Sequence, residues 1–296
     1  MKEEYEKIGI ILINYNKSTL DTFECVKSLL NSGCAQEQIY ILDNDSESEY
    51  KDLLKKNVPD KVAISFNNVN SGFAKGCNIG IKYFLNRDNI SYILLLNNDT
   101  IVPDNFLREL IKPFLQRNLS IGIVSPIIYY YNNKNELWYG GVKYIPLTGG
   151  YKHNKDKSKI PTHGYVDTDI CTGCCMLFRK TLIEKVGFLD EDYFMYFEDV
   201  DFSLKVKRSG LRLMLNLDTY IYHKVSNSSE KLSVEKTWYA FDSYITLIRK
   251  NYTGFKKLFY TIMTYIANIH GGIKLILNRH FKEAVVVFKV LIQSIR

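Results

Sequence analysis

Proline and tryptophan are scarce, at 6 and 2 in 296 residues. With 46% apolar and 24% charged residues, the composition excludes a collagen-like or disordered chain. Six scattered cysteines do not make a disulfide scaffold. The opening MKEEYEK runs straight into IGIILIN, with no apolar h-region and no small-residue cleavage site. No secretory signal is therefore expected, and the thiols are expected free in a reducing cytoplasm. Cys171, Cys174 and Cys175 form C-x-x-C-C, but no second pair or His-x-His partner stands at metal spacing. A buried strand is expected there rather than a zinc site. The run GFAKGCNIG from Gly72 to Gly80 lacks the Gly-Lys-Ser/Thr ending of a phosphate loop, although Gly72 and Gly76 permit close backbone approach. Internal repeats and low-complexity linkers are absent.

Tyrosine is abundant, at 22. The formal charge is +7, unevenly placed: residues 231–296 carry 11 Lys+Arg against 3 Asp+Glu, and the rest carries 28 against 29. The basic excess belongs to the tail, which argues against a nucleic-acid partner.

Over the first half, short apolar runs alternate with helical periodicity. Strands are expected at 8–13, 39–42, 62–66 and Tyr92–Leu96, with helices at 19–30, Gly72–Leu85 and after Pro103. Pro113 should kink or end the last of these. This alternation predicts an α/β fold with a mostly parallel sheet flanked by helices. Residues 129–166 lack a clear period and read as long loops with a hairpin. Regularity returns at 169–178 and 211–222, and 226–230 (SNSSE) is the expected domain edge. The expected domains are 1–230, with halves near 1–125 and 126–230, and a helical extension over 231–296.

In open α/β sheets, ligands bind beyond the carboxyl ends of strands. Three polar clusters fall at such ends: Asn14-Tyr15-Asn16, Asp43-Asn44 and Asn97-Asn98-Asp99. Asp99 suits a hard divalent cation, or else an Asx turn. A second concentration is YFMYFEDVDFSLKVKRSG at 193–210. Glu198 and Asp199 open a helix there, where the dipole favours ionised carboxylates, as a general base requires. Asp201 and Lys205 read as an i,i+4 ion pair. His223 closes the run YIYH and is either a metal ligand or an ordinary capped histidine.

The stretches ILINYNK, YILDNDS, NSGFAKGCNIGI, YILLLNNDT, IGIVSPII, DICTGCCMLFRK and EKVGFLDEDYFMYFEDVDF, ending at IYHK, resemble glycosyltransferase family 2 enzymes of GT-A fold. The likeness is to the bacterial branch containing rhamnosyltransferases, over roughly residues 8–226. The resemblance implies that Tyr15 and Asp43 hold the base and ribose. Gly72 and Asn78 lie in the loop over the nucleotide. Asn97, Asn98 and Asp99 stand in the D-x-D metal motif, with Asn97 replacing its first carboxylate. His223 completes a Mg²⁺ or Mn²⁺ and diphosphate site. Asp199 is the catalytic base, and Glu198 stands beside the acceptor. Lys205 stands where the family often has Arg, and cannot act as a bidentate fork. The Q-x-x-R-W signature of processive members is absent, which favours single-sugar addition.

The implied function is inverting transfer of one sugar from a nucleoside-diphosphate sugar to a hydroxyl of a growing, lipid-linked surface glycan. dTDP-rhamnose is the first-choice donor and a UDP-hexose the next. A non-catalytic nucleotide-sugar-binding or partner-binding member is the alternative. A sugar nucleotidyltransferase would need a Gly-rich loop where NYNKST stands.

In the tail, Phe255, Leu258, Phe259, Ile262, Ile266 and Ile273 recur at helical spacing, as do Phe281, Val285, Phe288, Leu291, Ile292 and Ile295. Asn268, His270, Gly271, Gly272 and Lys274 argue against a membrane span. Two amphipathic helices are expected, either packed on the catalytic domain or lying on an anionic inner leaflet. The corresponding location is cytoplasmic, or peripheral on the inner face of the membrane.

Overall fold

A computed structural model describes residues 3–116, 120–145, 150–225 and 234–294. The expected domain edge at 226–230 lies outside them. The first half alternates β1 (Ile8–Asn14), α1 (Thr19–Asn31), β2 (Ile39–Asp43), α2 (Ser48–Asn57), β3 (Ala63–Phe66), α3 (Gly72–Leu85) and β4 (Tyr92–Leu96). Strands β3, β2, β1 and β4 lie side by side and parallel. The β-branched run of β1 suits its place, since Ile10 and Leu12 enter the core on one face and Ile11 the core on the other. Helix α3 packs tightly on β1: a Cβ at Gly80 would come within 2.6 Å of the Ile11 side chain.

The second half holds β5 (Thr100–Ile101), α4 (Phe106–Leu110), α5 (Lys112–Leu115), β6 (Ile121–Tyr130), β7 (Leu137–Tyr139), β8 (Val142–Ile145), β9 (Gly150–His153), β10 (Tyr165–Asp167), β11 (Cys175–Arg179), α6 (Leu182–Val186), α7 (Glu198–Arg208) and β12 (Arg212–His223). The sheet order is β10-β12-β6-β11-β4-β1-β2-β3, with β5 on β12 and β7 on β6. Beyond β4 the sheet is mixed, while the first four strands carry the parallel part that was expected. Strand β11 runs antiparallel to both β4 and β6, while β12 is parallel to β6. The chain reaches β11 through the loops and hairpin of 129–166, and without a helical crossover nothing imposes parallel pairing.

The helix after Pro103 breaks at Ile111, and Pro113 sits in the first turn of α5, where its missing N–H is tolerated. The 129–166 segment contains the hairpin β8–β9. The tail forms α8 (Val234–Asn251), α9 (Gly254–Leu277) and α10 (Phe281–Ser294). Phe241, Val290 and Leu291 make a small core of its own.

Candidate functional site

Strands β1 and β2 pair so that Asn14 stands opposite Asp43 at their carboxyl ends. Both side chains are buried. The Asn14 amide donates to Asp43 Oδ2 (2.8 Å), and Ser46 donates its backbone N–H to Oδ1 (3.0 Å) and its hydroxyl to Oδ2 (2.5 Å). Tyr15, just after β1, is 45% exposed. Asn44 organises the following loop: its oxygen accepts from Asn67 and Ser71, and its amide donates to Asn70 and to Gly72 O.

The short β5 pairs with the end of β12, setting Thr100 opposite His223. That register brings His223 Nε2 to 3.0 Å from Asp99 Oδ1, with both side chains largely buried. The Trp138 ring meets the imidazole edge-on at 4.5 Å. Burial pushes His223 toward neutrality, but the Cys174 thiol and the Asp99 carboxylate outweigh it and raise its pKa to about 10. His223 Nδ1 is buried without a hydrogen-bond partner. A carboxylate oxygen and an imidazole nitrogen that share a proton can also share a divalent cation, and the pair suits Mn²⁺ or Mg²⁺. Among the described residues no group of three His, Cys, Asp or Glu could hold a metal by itself. A cation here needs further ligands, which diphosphate oxygens are chemically fit to provide. Asn97 is half-buried, and its backbone N–H donates to Cys174 O.

Glu198 and Asp199 open α7 after Tyr196 and Phe197, whose φ angles of 70° and 65° are left-handed. Asp199 Oδ2 accepts from Gly173 N and Oδ1 from Val200 N, each at 2.8 Å. Glu198 is 6% exposed and its Oε2 has no hydrogen-bond partner. Burial, then the neighbouring Asp199 charge, raise Glu198 to about 8. Burial also raises Asp199, against two backbone N–H donors that favour its ionised form. The pair therefore keeps a proton on Glu198 and the negative charge on Asp199. The expected Asp201–Lys205 ion pair is present at 3.0 Å, and Lys205 also approaches Asp190.

One turn joins the two charged pairs. Gly173 holds Asp199, and its neighbour Cys174 lies against His223. All three cysteines of the C-x-x-C-C run are buried, and only Cys175 belongs to the strand. The contact of this turn with both pairs could not be read from an apolar strand pattern. His153 on β9 was also missed. It lies within electrostatic range of Asp199, although burial and Lys155 hold its own pKa down.

Besides the buried Asp43, two more of the expected nucleotide residues face inward. The Asn98 amide donates to Thr22 Oγ1 (2.7 Å) and Ser18 Oγ (2.9 Å), fixing the start of α1. Asn78 donates to Leu189 O and Glu191, and accepts from Leu189 N, clamping the 189–191 loop to α3. Gly72 has φ +79°, and a Cβ there would lie 2.3 Å from Phe194 O. Phe73 N donates to that same carbonyl. The start of α3 thus rests directly on the loop that carries Glu198 and Asp199.

The family model for glycosyl transferase family 2 matches residues 9–187. The chain belongs to this family. It is 25% identical over 216 residues to the low-salt glycan biosynthesis hexosyltransferase Agl10 of Haloferax volcanii, covering 70% of this chain and 64% of that one. It is 30% identical over 152 residues to the rhamnosyltransferase WbbL of Escherichia coli, covering 48% and 56%. It is 21% identical over 255 residues to the dTDP-rhamnosyl transferase RfbF of Shigella flexneri, covering 83% and 81%. The match thus spans less than two thirds of the length of the first two relatives. Among solved structures, the mannosyltransferase PcManGT from Pyrobaculum calidifontis, in complex with GDP-Man and Mn²⁺, superposes with a TM-score of 0.57. Sequence identity is 12%, over 98% of this chain and 87% of that one. At that identity the likeness establishes the fold, which is GT-A.

Proposed function

We propose that this family 2 member is an inverting glycosyltransferase that moves one sugar from a nucleoside-diphosphate sugar to a glycan hydroxyl. The observation that carries the reading is the 172–174 turn, which holds an Asp99–His223 pair and a Glu198–Asp199 pair on either side of it. One pair suits a divalent cation; the other is poised to take a proton.

Asp99 and His223 would hold Mg²⁺ or Mn²⁺, which when bound neutralises charge developing on the departing diphosphate. Tyr15 and Asp43 would hold the nucleotide, with Gly72 close by through Asn44. Asn97 would stand beside the cation, while Asn98, through its hold on α1, and Asn78, as a clamp, support the site from behind. Asp199 accepts the proton of the acceptor hydroxyl as that oxygen attacks the anomeric carbon. Attack comes from the face opposite the diphosphate, so one displacement inverts the configuration. Glu198, holding its proton, is fit to donate a hydrogen bond to the acceptor.

dTDP-rhamnose is the proposed donor, supported by the rhamnosyltransferase relatives, with a UDP-hexose next. The acceptor on this reading is a lipid-linked surface glycan, and the basic tail brings the enzyme to the inner face of an anionic membrane. The deciding experiment is a panel of nucleotide sugars with released diphosphate as readout, run with and without chelator. Cation-dependent release from dTDP-rhamnose is expected. Asp99→Ala should abolish it; full activity of that variant in chelator would overturn the cation assignment, and release from no donor would overturn the catalytic reading.

A further inference from the structure

The tail divides its surfaces between two tasks. Helix α8 faces the catalytic domain: Ser243 donates to Met195 O (2.8 Å), Asn251 to Asp201 (2.9 Å), and Lys250 pairs with Asp190 and Asp192. Tyr239 stacks on Phe194 at 4.5 Å, and Tyr244 packs on Phe197. Helix α10 covers a second side of α9, with Phe288 against Gly272.

The remaining side of α9 is bare. Phe255, Ile262, Ile266, Ile269, Ile273 and Leu277 are all exposed, between 43% and 80%. Their spacings of three, four and seven place them along one line of a 24-residue helix. That line is about 33 Å long. Nothing among the described residues covers it. An exposed apolar strip of this length on a folded chain marks a contact surface.

Charge selects the occupant. Helix α9 contains no Asp or Glu, and Lys256, Lys257 and Lys274 stand on it, followed by Arg279 and Lys282. None of these three lysines has an acidic partner among the described residues. A second copy of the same helix would bring cation against cation. An anionic lipid surface meets both features, taking the apolar line into the acyl boundary and Lys256 and Lys274, which share one flank of that line, at its headgroups. No helix among the described residues is long and apolar enough to cross a membrane, which suits a helix lying in the plane.

We infer that the outer face of α9 is an interfacial membrane-binding face, taking anionic lipid. This rests on the reading that the chain works at a lipid surface, and names the element that binds. Because α8 grips the 194–197 loop and Asp201, the bound face would also fix the orientation of the Glu198–Asp199 site above the leaflet.

The test is sedimentation of the full chain with phosphatidylcholine vesicles containing phosphatidylglycerol, against phosphatidylcholine alone, without any sugar donor. Binding to the anionic vesicles alone is expected, falling as salt rises. Combined Ile262→Glu, Ile266→Glu and Ile273→Glu should abolish pelleting while far-UV dichroism and diphosphate release from donor stay unchanged. Combined Lys256→Gln and Lys274→Gln should weaken binding about thirtyfold. Equal pelleting of the Ile variant and the parent overturns the inference. So does a parent that ignores vesicles but forms a dimer that the Ile variant dissociates. Loss of vesicle binding with donor turnover intact would leave the catalytic reading standing; absent turnover with vesicle binding intact would leave this inference standing.

Discussion

Asp199 and Glu198 are adjacent carboxylates with opposite assignments, and their surroundings set the difference. Asp199 has two backbone donors on its oxygens, whereas Glu198 Oε2 has none. Asp199→Asn keeps the shape and removes the proton acceptor, so kcat should fall by roughly 10²–10⁴ with nucleotide affinity nearly unchanged. A dead Glu198→Gln beside a near-normal Asp199→Asn in steady-state assays would exchange the two roles. Glu198 also makes a stability prediction. In the fold it keeps its proton to about pH 8, but the unfolded chain releases it near the ordinary value of 4.5. Between those values the folded state binds more protons, so this group removes stability as pH rises. Glu198→Gln cannot ionise. Its melting temperature should therefore rise relative to the parent between pH 5 and pH 8, by an amount equivalent to roughly 2 kcal/mol or more. Parallel melting curves of the two proteins across that range would show Glu198 ionised in the fold. The residue types at these strand ends were legible in the sequence; their directions were not. Asn98 and Asn78 are polar residues at the right places, but hydrogen bonds to Ser18, Thr22 and Leu189 turn them inward. Those partners are 76 to 111 residues away in the chain, beyond any local pattern.

At the scale of elements, the strands of the first half and its helices α1 and α3 were legible, because the strands are short apolar runs and these two helices each have one apolar stripe. Helix α2 was missed: SEYKDLLKKN buries only Leu54, too little to leave a period. The mixed half was missed because strand direction depends on the connection rather than on the strand's own residues. The site depends on that half, since β5 meeting β12 is what joins Asp99 to His223. It depends equally on the contact of α3 with the 194–197 loop. Gly72→Ala would place a methyl 2.3 Å from Phe194 O, at a φ of +79° that alanine disfavours. The loop must withdraw and carry the Glu198–Asp199 end of α7 with it. Thermal unfolding should show a loss of several degrees, and kcat should fall more than nucleotide affinity. An unchanged kcat in a folded Gly72→Ala variant would show that the two sites do not communicate through this contact.

For the whole molecule, the question is whether the tail is an appendage or part of one cooperative body. The amphipathic spacing of α9 and α10 was legible, and so was the charge of the tail. Its division of labour was not: α8 carries polar residues, Ser243 and Asn251, whose value lies in partners on the catalytic domain. Asn251 is the sharpest of these, because it donates both to Leu247 O and to Asp201, a carboxylate only 2% exposed. Removing it leaves Asp201 with Lys205 and Tyr193 but without its amide donor, a loss of about 1–3 kcal/mol for a charged, buried acceptor. If α8 folds as one unit with the domain, calorimetry of the full chain gives a single transition, and Asn251→Ala shifts all of it downward. If the tail melts alone, Asn251→Ala moves only a separate, smaller transition and leaves the main one in place. The first outcome is expected, because α8 contacts the domain on both sides of the Glu198–Asp199 pair, at Met195 and at Asp201. A tail fastened at those two points transmits the tilt of α9 to the site, whereas an independent one could tether the enzyme without orienting it.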